Sequence, residues 1–278
     1  MKSLLLAKRS FKEILRDPLS FVFCLGFPVL LLIAFRVINY YVGDGWMSLS
    51  DLVPGVAVFS LSFIMLYMTL LVSKDRATSF LARLYTAPLR AIDFIIGYAL
   101  PGVVLGVLQL LITYLAGMVI SLVPNGTLTA KGVETVLKTV DYTTVPPLTV
   151  EGTVLLPFGG IFTATLAALP TVLLFVSLGI LFGTLLNEKS APGISSAVIT
   201  ASGLLGGAWM PLSDMGSFAD FCSFLPFYPA TTLARTAFML HAPTASGFWL
   251  PLITVTLWCV AVFTAAVLLF LRSLRGEK

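Results

Sequence analysis

Charge is scarce in this sequence. Only 11% of its 278 residues are Asp, Glu, Lys or Arg, while 58% are hydrophobic; a soluble domain carries roughly a quarter charged residues. With a mean hydropathy of +1.00, the chain has more apolar surface than one soluble core can hide, so a water-soluble globular fold is excluded. Histidine occurs once, at His241, and cysteine three times. Cys24 and Cys259 lie inside apolar runs and Cys222 in a connecting segment, which gives neither a disulfide framework nor metal-ligand spacing. No GxxxxGK[ST] loop is present, so the chain does not hold ATP in a P-loop, and no HExxH pattern occurs.

What is abundant is the long apolar run. Six are long enough for the about 20 residues of a spanning helix: 19–41, 52–73, 95–123, 155–186, 192–212 and 248–271. They are continuous rather than alternating, so the expectation is helices and not a β-barrel. The basic start leads directly into a run of spanning length with no small-residue cleavage pattern, so a cleaved signal peptide is not expected. The second, fourth, fifth and sixth runs have no charged residue in their central parts. That disfavours a membrane protease or a proton-driven carrier, whose paths need such groups, although sodium can be held by backbone carbonyls alone.

Basic residues alternate in density between the connections. Lys2, Lys8, Arg9, Lys12, Arg16, Lys74, Arg76, Arg83, Arg90, Lys189, Arg272, Arg275 and Lys278 fall on one side; Lys131, Lys138 and Arg235 fall on the other. The positive-inside rule therefore places both termini in the cytoplasm and fits six spans in a cell (inner or plasma) membrane. The net charge of +4 reflects residues facing the cytoplasmic leaflet and whatever docks there, so no nucleic-acid partner is called for. Arg36 lies near the outer end of its run, close to Tyr40, Tyr41 and Trp46, where it can snorkel to the interface.

Residues 3–16 project as an amphipathic helix, with Leu4, Ala7, Phe11, Ile14 and Leu15 on one side and Lys2, Arg9, Lys12, Glu13 and Arg16 on the other; Leu5 and Leu6 break the pattern. Such a helix before a span suits the membrane surface, and Asp17-Pro18 punctuates it. Pro101-Gly102 and Pro170 are expected to kink or subdivide the long third and fourth runs. The polar stretch 124–153, which includes an Asn125-Gly126-Thr127 glycosylation pattern, reads as an external loop. Small-residue pairs at Gly102/Gly106, Gly179/Gly183 and Gly203/Gly207 let helices approach closely. Residues 212–246, rich in Phe and Pro, suit neither a water-exposed loop nor a full span and read as an external re-entrant region.

The segment KDRATSFLARLYTAPLR, 74–90, is the most informative. Arg76, Arg83 and Arg90 recur every seven residues and share one face of a helix with Ser79 and Thr86, while Phe80, Leu81, Leu84, Tyr85 and Pro88 occupy the other. The same physics serves an interfacial helix among lipid headgroups and a docking helix for a soluble partner.

Taken together, these features resemble the membrane subunits of type-2 ABC exporters, the permease family of drug, polysaccharide and lipid exporters. RSFKEILRDP, 9–18, resembles the family's interfacial elbow helix. DRATSFLARLYTAPLRAIDFIIGYAL, 75–100, resembles its first cytoplasmic loop, although Lys74 and Ala77 stand where the family often has Glu and Gly. GLLGGAWMPLSDM, 203–215, with FLPFYPATTLAR, 224–235, resembles its external re-entrant region.

The resemblance implies one all-α transmembrane domain over 1–278: six transmembrane helices, an interfacial helix over 1–18, a cytoplasmic coupling helix over 74–90, an external loop over 124–153 and the re-entrant region over 212–246. It implies a transport subunit with no ATPase site of its own, paired with a second permease chain as a homodimer and with two copies of a separate ATPase subunit that carries the ATP and Mg. Arg76, Phe80, Arg83, Leu84, Tyr85 and Arg90 are then the candidate ATPase contacts, Lys8, Arg9 and Lys12 candidate ATPase or lipid contacts, and Phe59, Phe63 and Leu204 candidate substrate-path residues. The cargo implied is amphipathic or lipid-like, moved out of the cytoplasm or inner leaflet. An ion-coupled secondary carrier, and a membrane enzyme or scaffold, are the competing classes; a carrier would show a midplane polar site with repeat symmetry.

Overall fold

The computed structural model describes residues 2–16, 18–42, 48–78, 91–121, 157–210, 212, 215–241 and 243–276. Among them the chain is all-helical. Helix α1 is Lys2–Arg16, α2 Pro18–Val42, α3 Leu49–Ala77 and α4 Ala91–Ser121. Helix α5 is Phe158–Ala167, α6 Leu169–Leu185 and α7 Ala191–Leu205. Two short helices, α8 (Ser217–Phe224) and α9 (Phe227–Phe238), lead through a π-helical turn, Ala245–Trp249, into α10, Leu250–Gly276.

Local chemistry sets most of these ends. Ser48 caps α3: its Oγ accepts from the Asp51 amide at 3.3 Å and donates to Asp51 Oδ2 at 2.6 Å, adding a side-chain acceptor to a first-turn amide that also bonds the Ser48 carbonyl at 3.1 Å. The expected subdivision of the fourth run occurs at Ala168. Pro170, in the first turn of α6, lacks the amide that would extend the α5 ladder, and α5 and α6 meet at a bend of 47°. Pro101 behaves differently: α4 runs through it as one helix. Helix α7 ends at Leu205, short of the expected 212, because Gly207 turns the backbone to a φ of +60°, a conformation that favours glycine.

Three helical stretches are long and apolar enough to cross a membrane: Leu49–Ala77, Ile95–Ser121 and Ala245–Arg272. The bent pair α5–α6 makes a fourth if counted as one span, while the apolar stretches Cys24–Ile38 and Ala191–Leu205 are shorter. The protein is thus a multi-pass helical membrane protein.

Helix α3 is the axis of the bundle. It packs against α2, α4, α6, α7 and α9, and nearly every side chain from Leu52 to Val72 is buried. Two of the small-residue pairs serve contacts within the chain. Cβ atoms on Gly179 and Gly183 of α6 would meet Met65, Met68, Thr69 and Val72 of α3, and Gly102 and Gly106 of α4 face Val176 and Val172 of α6. Helix α10 packs on α6 and leaves Leu250, Ile253, Leu257 and Val260 exposed.

At the α3 end that carries Asp51, the turn after α7 is sealed by its neighbours. The Gly206 carbonyl accepts from Thr231 Oγ1 at 2.5 Å, and the Gly207 carbonyl from Arg235 Nη2 at 2.7 Å. Arg235 Nε donates to the Asp51 carbonyl at 3.1 Å. Carbonyls that end α7 without helical partners are thereby satisfied from α9, and α9 is tied to both α3 and α7. Thr163 of α5 adds a bond to the Ala237 carbonyl at 2.7 Å.

Candidate functional site

At the other end of α3, three helices converge on one carboxylate. Asp75 is only 2% exposed. Its Oδ1 accepts from Arg9 Nη2 at 3.1 Å and its Oδ2 from Arg9 Nη1 at 3.3 Å; Oδ2 also accepts from the Tyr98 hydroxyl at 2.6 Å. Arg9 belongs to α1, Asp75 to the last turn of α3 and Tyr98 to the second turn of α4. The pairing is a two-pronged, charge-assisted fork, the stronger form of side-chain hydrogen bond, and a buried carboxylate requires such partners. Glu13 extends the node outward, at 3.4 Å from Arg9 Nη2 and 3.7 Å from Lys74 Nζ. These outer pairs are partly exposed and screened, so they contribute little stability.

The seating of α1 explains why Arg9 reaches Asp75. Leu6, Ala7 and Ser10 are buried and Phe11 is half-buried. The face turned to the protein is therefore rotated by roughly a quarter turn from the apolar arc read in the sequence, at 100° per residue. Leu6, which broke that arc, packs over Gly97: a Cβ there would sit 2.5 Å from Leu6 Cδ2. The missing side chain at 97 gives Leu6 its space, and Arg9, one turn on, then points at the end of α3. Burial lowers the Arg9 pKa, but the hydrogen bonds and charge of Asp75, with smaller help from Glu13, outweigh it and leave the guanidinium more basic than usual.

Arg76 lies beside this node but turns elsewhere. The helix of α3 continues to Ala77, with Thr78 N bonded to the Lys74 carbonyl at 3.0 Å, so Lys74 and Arg76 belong to α3 rather than to a separate helix starting at 74. Arg76 Nη1 donates to the Gly183 carbonyl at 3.2 Å and to that of Thr184. These are among the last carbonyls of α6, where a cation is favourable. Of the other residues singled out in the sequence, Phe80, Arg83, Leu84, Tyr85 and Arg90 fall outside the described residues. Lys8 and Lys12 are exposed on α1.

Phe59 and Phe63 stand in an aromatic column. Phe63 meets Phe27 at 4.8 Å between ring centroids, Phe59 meets Phe63 at 5.6 Å, and Phe59 meets Trp209 at 4.7 Å. Gly203 faces this column, with an added Cβ 3.1 Å from Phe59 Cε2, whereas its neighbour Leu204 is 49% exposed. Of the three candidate path residues, Phe59 is buried, Phe63 half-buried and Leu204 exposed. Among the described residues no three His, Cys, Asp or Glu side chains converge to hold a metal ion.

Asp75, Tyr98 and Glu13 were not singled out from the sequence. The signal for Asp75 was a lone acid between two bases, at the point where an apolar run gives way to a basic segment; Tyr98, inside an apolar run, gave none. Tyr98→Phe removes one bond to a charged acceptor while keeping the ring. It is expected to cost about 1.5 kcal/mol, read as a lowered Tm in detergent; an unchanged Tm would show that the hydroxyl contributes nothing.

Comparison with known families agrees with this architecture. A family model described as ABC-2 type transporter matches residues 2–137. No curated protein matches the chain. Permeases of this family generally pair with ATPase subunits, and the matched stretch holds α1 to α4, with all five side chains of the Asp75 node. Over residues 2–137, just under half of the chain, the sequence is thus similar to the membrane domain of ABC-2 type transporters.

Proposed function

We propose that the chain is the membrane-spanning permease subunit of an ATP-driven ABC exporter, energised by a separate ATPase subunit. In this reading it spans the membrane six times, with α2, α3, α4, the α5–α6 pair, α7 and α10 as spans and both termini in the cytoplasm. Two copies form the permease and two ATPase chains bind on the cytoplasmic side. Residues 74–90 are the contact with the ATPase, the region around 212–246 faces outward, and an amphipathic or lipid-like cargo leaves the cytoplasm or inner leaflet.

The observation that carries the reading is the Asp75 node. It ties the ends of α3 and α4, which flank 79–90, to each other and to α1. A displacement imposed on 79–90 is then passed to three helices together, and through Arg76 to the end of α6. Packed helices of this kind exchange between discrete arrangements, so the chain needs no catalytic residue.

The test is co-purification of the tagged chain from its native membranes in mild detergent. An ATPase subunit should accompany it, and export should stop when that subunit is deleted. Export that persists without any ATPase and collapses with an ionophore would favour an ion-coupled carrier instead. Arg83→Glu is expected to reduce ATPase recovery at least tenfold, about 1.4 kcal/mol of binding, with unchanged membrane insertion. Wild-type recovery and export in that variant would remove Arg83 from the contact.

A further inference from the structure

Helix α7 packs chiefly on α3, and the seam between them is lined with hydroxyls. Gly55 and Phe59 mark the face of α3 concerned: a Cβ on Gly55 would meet Ala208, and one on Gly203 would come within 3.1 Å of Phe59. At 100° per residue, Ser62, Thr69 and Ser73 share an arc of about 80° with that pair. On α7, Ala191, Ser195 and Ser202 are buried and share an arc of about 40°, so this stripe is the one turned to α3. The two glycine contacts run in opposite order along the helices, which are therefore antiparallel. Ser195 lies about 12 Å from the Gly203 contact at 1.5 Å per residue, which puts it level with the turn of α3 between Leu66 and Thr69. All of these hydroxyl residues are buried. From Ser73, near the Asp75 end of α3, to Ser62 the seam extends about 16 Å, half of the roughly 30 Å hydrocarbon core of a bilayer. Neither 52–73 nor 191–205 contains Asp, Glu, Lys, Arg or His.

Hydrogen bonding in the seam is one-sided. Ser62 Oγ donates to the Phe59 carbonyl at 2.6 Å, Thr69 Oγ1 to that of Met65 at 2.8 Å, Ser73 Oγ to that of Leu70 at 3.1 Å and Ser202 Oγ to that of Ile199 at 2.8 Å. Each proton is used within its own helix, and each oxygen keeps its capacity to accept. Ser195 Oγ is fully buried and has no partner among the described residues. Buried hydroxyls are ordinarily bonded, and alanine would fill the same space without that cost. The seam thus offers several acceptors, one hydroxyl that both donates and accepts, and no charge. It matches an uncharged group rich in hydroxyl donors. A phosphate or carboxylate would enter it without a counter-charge.

The same seam is the one able to open. Helices α1, α4 and α6 are each bonded across to α3: through Arg9, through Gln109 Nε2 to the Ser60 carbonyl at 2.7 Å, and through Arg76. The seam hydroxyls hold nothing across it. Side chains of α9 fix the far end of α7, where Thr231 and Arg235 bond the Gly206 and Gly207 carbonyls. The Ala191 end is then free to swing from α3 about that fixed end, a hinge motion.

We infer that the α3–α7 seam, opened at its Asp75 end, holds the headgroup of the cargo, and that this headgroup is an uncharged polyol or sugar. The inference rests on the permease reading given above and narrows its amphipathic cargo to one headgroup chemistry. Ser195 donates to the headgroup and accepts from it, while Ser62, Thr69 and Ser73 accept from its hydroxyls.

The experiment places the full chain, with the ATPase that co-purifies with it, in phosphatidylcholine nanodiscs. Monoglucosyl diacylglycerol with a dansyl-labelled acyl chain is titrated in, and tryptophan-to-dansyl energy transfer reports binding. Phosphatidylcholine and phosphatidylglycerol carrying the same labelled chain are the comparison probes. The glucosyl lipid should bind about fivefold tighter than either and should stimulate ATP hydrolysis. Ser195→Ala and Ser73→Ala should each lower that preference about threefold without lowering Tm; two positions keep the test alive if one variant folds poorly. Ser196→Ala, whose hydroxyl is exposed and bonded to the Pro192 carbonyl, should leave the preference intact. Equal affinity for the three headgroups, or a preference that survives both Ser195→Ala and Ser73→Ala, overturns the inference and leaves the seam as packing alone. Tighter binding of phosphatidylglycerol overturns it in favour of an anionic cargo. If no ATPase accompanies the chain, the permease reading fails and this inference with it. If the ATPase is present and the headgroups are not distinguished, the inference alone fails.

Discussion

Asp75→Ala is expected to lower stability by about 2–3 kcal/mol and to loosen α1 from the bundle. Breaking a buried ion pair costs about 3–5 kcal/mol when the remaining charge stays buried. Here the figure is discounted, because the Arg9 side chain is 37% exposed and can turn toward water and Glu13. What cannot relax is Tyr98, whose hydroxyl is left without its acceptor in a fully buried position. Thermal unfolding in detergent measures the loss, and limited trypsin digestion at Lys8, Arg9 and Lys12 reports the release of α1.

The reverse truncation separates a pair from a mere contact. Arg9→Ala leaves the carboxylate buried with Tyr98 alone, so it should cost at least as much as Asp75→Ala. The double variant should cost clearly less than the two single losses added, as expected for residues in direct contact. An Asp75→Ala variant within about 0.5 kcal/mol of wild type, the range of an ordinary surface substitution, would sink the node as a structural element. If the node also transmits motion, Asp75→Ala at a temperature where it remains folded should bind the ATPase normally yet export less per ATP hydrolysed.

Gly55→Ala is the second substitution with a large expected effect. A methyl on Gly55 would overlap the Ala208 carbonyl oxygen and sit 3.0 Å from its carbon. Both partners are backbone. One belongs to the central helix α3, and the other to the turn after α7 that Thr231 and Arg235 hold in place. Neither can move without breaking bonds around it, so the cost is expected to be about 3 kcal/mol or more, at the upper end for overpacking. Gly160→Ala meets the same obstacle in the Phe238 carbonyl and should behave alike.

Two other glycines serve as controls in the same measurement. Gly97→Ala meets the Leu6 side chain from Cδ2 at 2.5 Å down to Cβ at 3.0 Å; the obstacle is a side chain rather than backbone, so its cost should lie within about 1–3 kcal/mol and below that of Gly55→Ala. Gly193, in α7, has nothing within 4 Å of an added Cβ, and alanine there should stabilise by about 0.5–1 kcal/mol through helix propensity. Monodisperse yield and Tm give the ranking; Gly55→Ala as stable as Gly193→Ala would mean that the α3 contact with Ala208 is not made.

Much of the architecture was legible in the sequence where it rests on neighbours in the chain. The apolar runs gave helices near their expected places, and Pro170 divided α5 from α6. Proline did not subdivide both long runs. Pro101 carries the same chemistry as Pro170, yet α4 continues through it. Tertiary packing of a long helix can hold across one missing bond, and α4 packs on both α3 and α6. The end of α7 was placed too late for a related reason: the apolar run continues past Leu205, and only the backbone at Gly207 stops the helix.

The site was less legible. The sequence read by helix faces identified basic residues around 74–90 and on α1, including Arg9 and Arg76. It did not identify what they bond to. Arg9 and Asp75 are separated by 66 positions and Arg76 and Thr184 by 108, and no local period links residues so far apart.

By itself, then, the sequence determined a helical membrane protein, the places where its helices run, and the sign and position of its charged ends. These follow from hydropathy and charge summed over about 20 neighbouring residues, which the bilayer reads directly. Only the tertiary structure decided which face α1 turns inward, that Asp75 joins α1, α3 and α4, and that Arg76 and Arg235 each bind carbonyls at the end of another helix. Those outcomes depend on where a glycine leaves room and where a helix end leaves carbonyls unpaired, and both are set by elements that meet only in the folded chain.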